Sequence, residues 1–367
     1  MVVLKFIRQN SLVSRAKIAK SVGLSKPAVS EAVDHLLKAG VIKEVKKGES
    51  SKHGGKRPIL LEFNPLFRLV IGVDLGGTNL RVAMTDLNGK IMQRKDFSSK
   101  GISSPELLLD KLIDAIKSLN FEPKSVLGIG VGVPGTVDPK SGLVRYMPAF
   151  GIKDFPLKEA LQNAFKKPVL LGNDVTLNAL GEMWKGSAKG KKNLLLVSLG
   201  TGTGMGIIIN GELYEGSNGM AGELGYTITD WSREKDHNFP FGRLERWFSG
   251  YAFEKILLKD SAHTSVKDFF ELAQKDSVLG SFLEEACEHL ALAISNAVCL
   301  FDPEIVVLGG AIGYNQYEKI ISKVMPILKE TVPNEILEHI SFERASLGDS
   351  GVLLGAVNLV QREIFVV

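Results

Sequence analysis

The sequence predicts an α/β protein in two parts: a small winged helix-turn-helix, then two similar α/β lobes that face a cleft. Three observations carry this expectation. Residues 1–60 hold thirteen Lys or Arg against four Asp or Glu, whereas the rest of the 367-residue chain holds 32 basic and 37 acidic residues. Within that basic segment, two short capped helices precede a glycine-rich hairpin. Beyond it, one strand–glycine turn–strand plan occurs twice.

Composition narrows the class. Hydrophobic residues make up 44% and charged residues 23%, as in ordinary globular chains. No apolar run approaches the ~18–20 residues of a membrane span. Residues 1–8 lack the apolar core and cleavage site of a signal peptide, so a cytoplasmic protein with no membrane partner is expected. Cys287 and Cys299 are the only cysteines, which excludes a disulfide framework and a Cys-type zinc site. Both are expected as buried free thiols.

The N-terminal module reads in order. Ser14 and Ser25 each stand where a side-chain oxygen accepts a first-turn N–H of the helix that follows, with Gly23 turning the chain between the helices. Pro27 falls in the second helix's first turn, where its missing donor does no harm. Ile18, Ala19, Val22 and Leu24 are spaced to bury against Val29, Val33, Leu36 and Leu37. That leaves Ser25, Lys26, Ser30 and Glu31 facing outward at the start of the second helix, where a recognition helix presents base-reading side chains. Two β-prone runs then flank a basic loop, a wing whose Lys46, Lys47, Lys52, Lys56 and Arg57 suit phosphate or minor-groove contacts. A module used only for protein contacts would have no use for that charge. One wing and one recognition helix read only a few base pairs, so a homodimer on a two-fold, double-stranded operator is expected. Asn64-Pro65 closes the hairpin and ends the module.

In the body, residues 71–92 run strand, glycine turn (Gly76, Gly77, Thr78), strand, Asn88-Gly89 turn, strand. Residues 194–213 repeat the plan with Gly200, Thr201, Gly202, Thr203 and Gly204, then Asn210-Gly211. Asn-Gly is a strong hairpin signal. A further apolar strand follows in each half, ending at Pro134-Gly135 and at Gly309-Gly310. Neither glycine turn is a P-loop, since no Gly-Lys-Ser/Thr follows, and neither leads into a helix as a dinucleotide fingerprint does. Glycines between strands let backbone N–H groups approach phosphate oxygens, and the threonines add hydroxyl donors.

Five motifs resemble the ROK family of sugar kinases and sugar-responsive repressors: Asp-Leu-Gly-Gly-Thr-Asn-Leu-Arg at 74–81, Gly-Val-Pro-Gly at 132–135, Gly-Asn-Asp at 172–174, Gly-Thr-Gly-Thr-Gly-Met-Gly at 200–206 and Ala-Gly-Glu-Leu-Gly at 221–225. The helix-turn-helix followed by Gly-Gly-Lys-Arg-Pro at 54–58 is similar to the repressor branch. The resemblance covers nearly the whole chain and implies an actin/hexokinase-like ATPase fold, that is, a ribonuclease-H-like one. The expected parts are a winged helix over 1–65, a first lobe over 66–172, a second over 173–345, and a segment 346–367 that returns to the first lobe. It further implies a DNA-binding repressor of carbohydrate genes with a sugar effector or, alternatively, an ATP-dependent sugar kinase using ATP and Mg²⁺. By resemblance, Asp174 is the general base, Asp74 orients Mg²⁺ or its waters, and the two glycine turns hold the phosphates. Gly309 and Gly310 pack adenosine, while Gly135, Asn173, Glu223, Tyr226 and Glu245 line the sugar.

The chain also departs from the family pattern. Tyr226 stands where the family has a His that contacts sugar and ligates zinc, and no cysteine follows it before Glu245. No zinc is therefore expected, and Trp231, Phe239 and Phe241 are expected to hold this loop by packing. Ala149 and Ile152 replace the Asn and Trp expected after Pro148.

Overall fold

A computed structural model describes residues 2–47, 57–230, 242–257 and 265–365. The N-terminal module comprises α1 (Val2–Gln9), β1 (Val13–Ser14), α2 (Arg15–Val22), α3 (Lys26–Lys38), β2 (Ile42–Lys47) and β3 (Ile59–Phe63). Ser14 caps α2 by accepting the Lys17 N–H at 3.2 Å, and Ser25 caps α3 by accepting that of Ala28 at 3.3 Å. Gly23 turns between them at φ +70°, a left-handed conformation open to glycine. β2 and β3 pair antiparallel from Ile42 opposite Phe63 to Lys47 opposite Ile59, which makes the wing. Helix α1 has no counterpart in the sequence reading. It adds Val3 and Ile7, one turn apart, to a core with Ile18, Val29, Val33 and Leu61. Leu24 does not join the predicted stripe; it is 44% exposed, on the rim of an apolar groove between α1 and α3.

The first lobe holds β4 (Leu69–Leu75), β5 (Asn79–Asp86), β6 (Ile91–Ser98), α4 (Pro105–Lys117) and β7 (Val126–Val133). A small antiparallel sheet follows, of β8 (Thr136–Val137), β9 (Val144–Met147) and β10 (Ile152–Phe155), then α5 (Leu157–Phe165) and β11 (Val169–Asn173). Helix α6 (Asp174–Lys185) leads into the second lobe, with β12 (Leu194–Leu199), β13 (Thr203–Ile209) and β14 (Glu212–Leu213). Helices α7 (Gly250–Leu257), α8 (Val266–Leu272) and α9 (Ser277–Phe301) come next, then β15 (Ile305–Gly309), α10 (Gly310–Asn315) and α11 (Tyr317–Thr331). The chain ends with α12 (Asn334–Leu337), β16 (Ser341–Arg344) and α13 (Gly351–Ile364).

The duplication is complete in topology. The first sheet runs β6-β5-β4-β7-β11 and the second β14-β13-β12-β15-β16, each with an antiparallel hairpin followed by two parallel strands. Asn210 and Gly211 sit at φ +54° and +80°, the left-handed pair that a tight hairpin turn requires. Of the corresponding pair in the other lobe, Asn88 and Gly89, only Gly89 is left-handed, and the Trp184 ring lies where its Cβ would be.

Helices α6 and α13 cross between the lobes. α13 packs on β4, β7 and β11 of the first sheet, and α6 packs on α13 and on β13 and β12 of the second. The crossing is close because it is made of glycines: a Cβ on Gly355 would collide with the Leu177 carbonyl, and one on Gly181 with that of Gly351. Glu182 of α6, fully buried, ties both chain passages between lobes. Its carboxylate accepts the N–H and hydroxyl of Ser187 after α6, and the N–H groups of Ser346 and Leu347 plus the Ser346 hydroxyl before α13.

Chain segment and packing unit differ at the module boundary. Asn64 closes the hairpin by donating to the Gly40 carbonyl at 2.9 Å. Past it, however, the winged helix shares one apolar cluster with Val70, Leu87, Val357 and Val360 of the first lobe. Cys287 is buried in α9 as expected, but Cys299 is exposed, because it falls on the outward face of that helix. Among the described residues, no helix is long and apolar enough to cross a membrane.

Candidate functional site

The cleft is built where strands end and α6 begins. Asp74 is the penultimate residue of β4, beside the first glycine turn, and is 6% exposed. Its Oδ2 lies 2.8 Å from Nη1 of Arg81, the residue directly opposite on β5. Burial pushes the Asp74 carboxyl up, against the pull of Arg81. Asn173 caps α6, its Oδ1 accepting the N–H and hydroxyl of Thr176 at 3.1 Å, while its Nδ2 donates to the Gly135 carbonyl at 3.1 Å. Glycine is required at 135 because a Cβ would collide with the Tyr146 carbonyl. Asp174 follows as the first residue of α6. Desolvation, then the Asp74 charge and more weakly that of Glu223, push its carboxyl up to about 7, against backbone hydrogen bonds from the N–H groups of Val175 and of Asp174 itself.

The other wall comes from the second lobe. Glu223 is solvent-accessible, yet partial desolvation and the Glu245 charge raise its carboxyl. Tyr226 is 61% exposed, and its hydroxyl is raised by desolvation, then by Glu245, Glu223 and Tyr146. Charge interactions thus run from Asp74 to Asp174, from Asp174 to Glu223, and from Glu223 to Glu245 and Tyr226. Such a set of acceptors suits a ligand rich in hydroxyl donors.

Glu245 differs from the others in being 7% exposed and already engaged. Its Oε1 accepts the Thr203 N–H at 2.8 Å and its Oε2 the Gly242 N–H at 2.9 Å. It therefore braces the second glycine turn against the segment after Tyr226. A second anchor of that segment escaped the sequence reading: His289 of α9 stacks on Trp247 at 4.4 Å and shares a 2.7 Å hydrogen bond with Thr229. Trp231, Phe239 and Phe241, expected to hold this loop, lie outside the described residues, as does His237.

The glycine turns need correction in detail. Gly77 and Thr78 are exposed as expected, with Gly76 partly so, but the Gly76 N–H already donates to Asn79 at 2.8 Å. The Gly200 N–H likewise donates to Gly202 at 3.0 Å, leaving Thr201 exposed at the tip. Thr203 is no phosphate donor: it is buried, its hydroxyl donates to the Phe248 carbonyl, and its N–H is held by Glu245. Gly204 is a strand residue opposite Ser198. Gly309 is the buried end of β15, and Gly310 opens α10 at φ +72°, where a Cβ would collide with Leu199. Ala149 lies against the first turn, its Cβ 3.2 Å from where one on Gly77 would stand. Among the described residues no group of three or more His, Cys, Asp or Glu is arranged to hold a metal ion.

On the DNA-binding module, Ser25, Lys26 and Glu31 are exposed at the start of α3. Ser30 is half-buried, and its hydroxyl accepts from Arg15 at 2.9 Å, which leaves its O–H to donate; Arg15 also pairs with Asp34 at 2.8 Å. Lys46 and Lys47 are exposed on β2, and Arg57 is exposed just before β3. Lys52 and Lys56 lie outside the described residues.

Comparison with known proteins agrees with this division. Residues 70–363 match the ROK family, and residues 2–43 match a winged helix-turn-helix DNA-binding family. The chain is 31% identical to the xylose repressor of Bacillus subtilis over 98% of its own length and 93% of the repressor's. It is 30% identical to a glucokinase of Halalkalibacterium halodurans, over 81% of this chain and 96% of the kinase. A solved ROK family transcriptional regulator, a homolog of the E. coli MLC protein, has the same fold at TM-score 0.82 and 23% identity, covering 98% of this chain and 94% of that one.

Proposed function

We propose, from the premise that this chain belongs to the ROK family, that it is a transcriptional repressor whose DNA binding responds to a sugar held in the cleft. The observation that carries this reading is a capped, exposed recognition-helix start and a basic wing on a module that shares its apolar core with the cleft-bearing lobe. A kinase has no use for such a module. The sugar's hydroxyl groups are taken by Asp174, Glu223 and Tyr226, and two copies of the chain bind a two-fold operator. Gel-shift and footprinting at fixed salt, with xylose, glucose and N-acetylglucosamine, test it. A protected operator whose affinity changes with one sugar is expected. Binding without sequence preference would sink the reading.

A second reading, sugar phosphorylation, is favoured by Asp174 alone, since a general base works best with a pKa near the working pH. ATP would lie against Gly76–Thr78 and Gly200–Gly202 and supply the phosphoryl group, with Mg²⁺ neutralising its charge. The chain's own residues fit this less well: Thr203 has given both donors to protein acceptors, and Arg81 occupies one oxygen of Asp74. A coupled ADP-release assay on the same sugars, with Asp174→Asn as control, decides it. Turnover that survives the substitution excludes this site.

A further inference from the structure

We infer that Arg8 is the positioning residue through which the winged helix takes its orientation from the cleft; the inference rests on the repressor reading above. Arg8 sits in the last turn of α1, outside the recognition helix and the wing strands, and reaches into the body. Its Nη2 donates to Gln361 Oε1 of α13 at 2.5 Å and to the Leu87 carbonyl at 3.3 Å. Its guanidinium lies over the Phe63 ring of the wing at 5.5 Å and over the Phe365 ring, just after α13, at 5.7 Å. One planar group therefore joins the wing, the first lobe and α13 at once.

What Arg8 grips is tied to the cleft at its far end. Ser350, just before α13, accepts from Arg94 at 3.2 Å, and the adjoining Asp349 pairs with Arg94 at 2.6 Å. Asp349 also lies 3.8 Å from Nε of Arg81, whose Nη1 holds Asp74 in the cleft. A second connection runs through α6, which starts at Asp174 and crosses α13 with Gly181 and Gly355 set directly against the carbonyls of Gly351 and Leu177, leaving little room to absorb a shift. A small displacement of the α6 start or of Asp74 thus turns α13 as a body, and Arg8 carries that turn to the module. The joint is also incompletely satisfied: among the described residues, Nε2 of Gln361, 2% exposed, has no hydrogen-bond partner. A buried orphan donor gives a second arrangement of this joint something to gain.

The test uses the full-length protein and a duplex selected with it from a random pool. Wild type, Arg8→Ala and Arg8→Lys are compared in two ways. In the first, operator affinity is read with and without the sugar that shifts the wild type. Arg8→Ala is expected to keep sugar affinity and sugar-free operator affinity within about threefold, while the sugar's effect falls from at least tenfold to under twofold. Lysine keeps the charge but not the stacked fork, so Arg8→Lys should follow alanine. In the second, the selected duplex alone is added and amide exchange is followed at 173–178; wild type responds and Arg8→Ala does not. A wild-type sugar response or exchange response in Arg8→Ala overturns the inference. So does operator binding weakened equally with and without sugar, which marks a merely structural role. If no sugar shifts the wild type but its duplex-induced exchange response is lost in Arg8→Ala, the sugar reading fails and the coupling stands.

Discussion

Asp174 is a cleft residue whose acid–base chemistry the fold changes strongly. Its folded pKa is raised from 3.8 to about 7, so the charged form that accepts a sugar hydroxyl accumulates only as pH rises through neutrality. If the carboxylate is the binding form, sugar affinity should fall about tenfold per pH unit below about pH 7 and level off above it. Asp174→Asn should bind more weakly and flatten the profile. Calorimetry from about pH 5.5 to about pH 8 checks this, and a flat wild-type curve removes Asp174 from the sugar contact. The same shift has a sign for stability: the unfolded chain gives up this proton near pH 3.8 and the folded one near 7, so stability is lost across that interval as pH rises. Asp174 was legible from its motif, and the Asp74–Arg81 pair was within reach, since residues flanking a tight strand–turn–strand oppose each other. Glu182 was not, because its donors lie 164 and 165 residues away as well as five. No local spacing announces a carboxylate that serves two distant connectors.

At the scale of elements, the hairpins and their order followed from glycine and Asn-Gly punctuation, which acts over a few residues. The α6–α13 crossing did not, because its cause is the fit of two helices far apart in sequence. Two substitutions measure that fit. Gly→Ala inside a helix ordinarily stabilises by up to ~1 kcal/mol. At Gly355 the added methyl meets the Leu177 carbonyl, so Gly355→Ala should instead destabilise by about 1–3 kcal/mol, seen as a lower urea midpoint. Glu182→Ala strands the donors of Ser187, Ser346 and Leu347 in a buried site and should cost about 2–4 kcal/mol by the same measurement. A loss under ~1 kcal/mol would mean that water replaces the carboxylate and that the two passages move independently. Helix α1 was overlooked because its eight residues make only about two turns, too short a window for even a clearly one-sided apolar face to be weighed as a helix. It becomes a helix through its packing against β3 and the body.

For the whole molecule, charge is divided as function requires. The basic residues concentrate in the N-terminal module, while the larger body is mildly acidic and is repelled by a polyanion. Each duplex phosphate left without its protein cation should reduce the slope of log affinity against log salt by about 0.9. Lys46, Lys47 and Arg57 are exposed on or beside the wing strands. Changing all three to Gln should therefore flatten the slope by about 2–3 and weaken operator and random duplex alike. Lys26→Gln, at the start of α3, should instead weaken the operator more than random DNA, because that turn is the one placed to meet base edges. Fluorescence anisotropy over a salt series separates the two outcomes. If the triple substitution leaves the slope unchanged, the wing is not on the phosphate backbone, and the DNA face of the module must be sought along α2 and α3. If Lys26→Gln weakens both duplexes equally, the module grips DNA without reading it. The sugar would then govern general retention on DNA rather than occupancy of one operator.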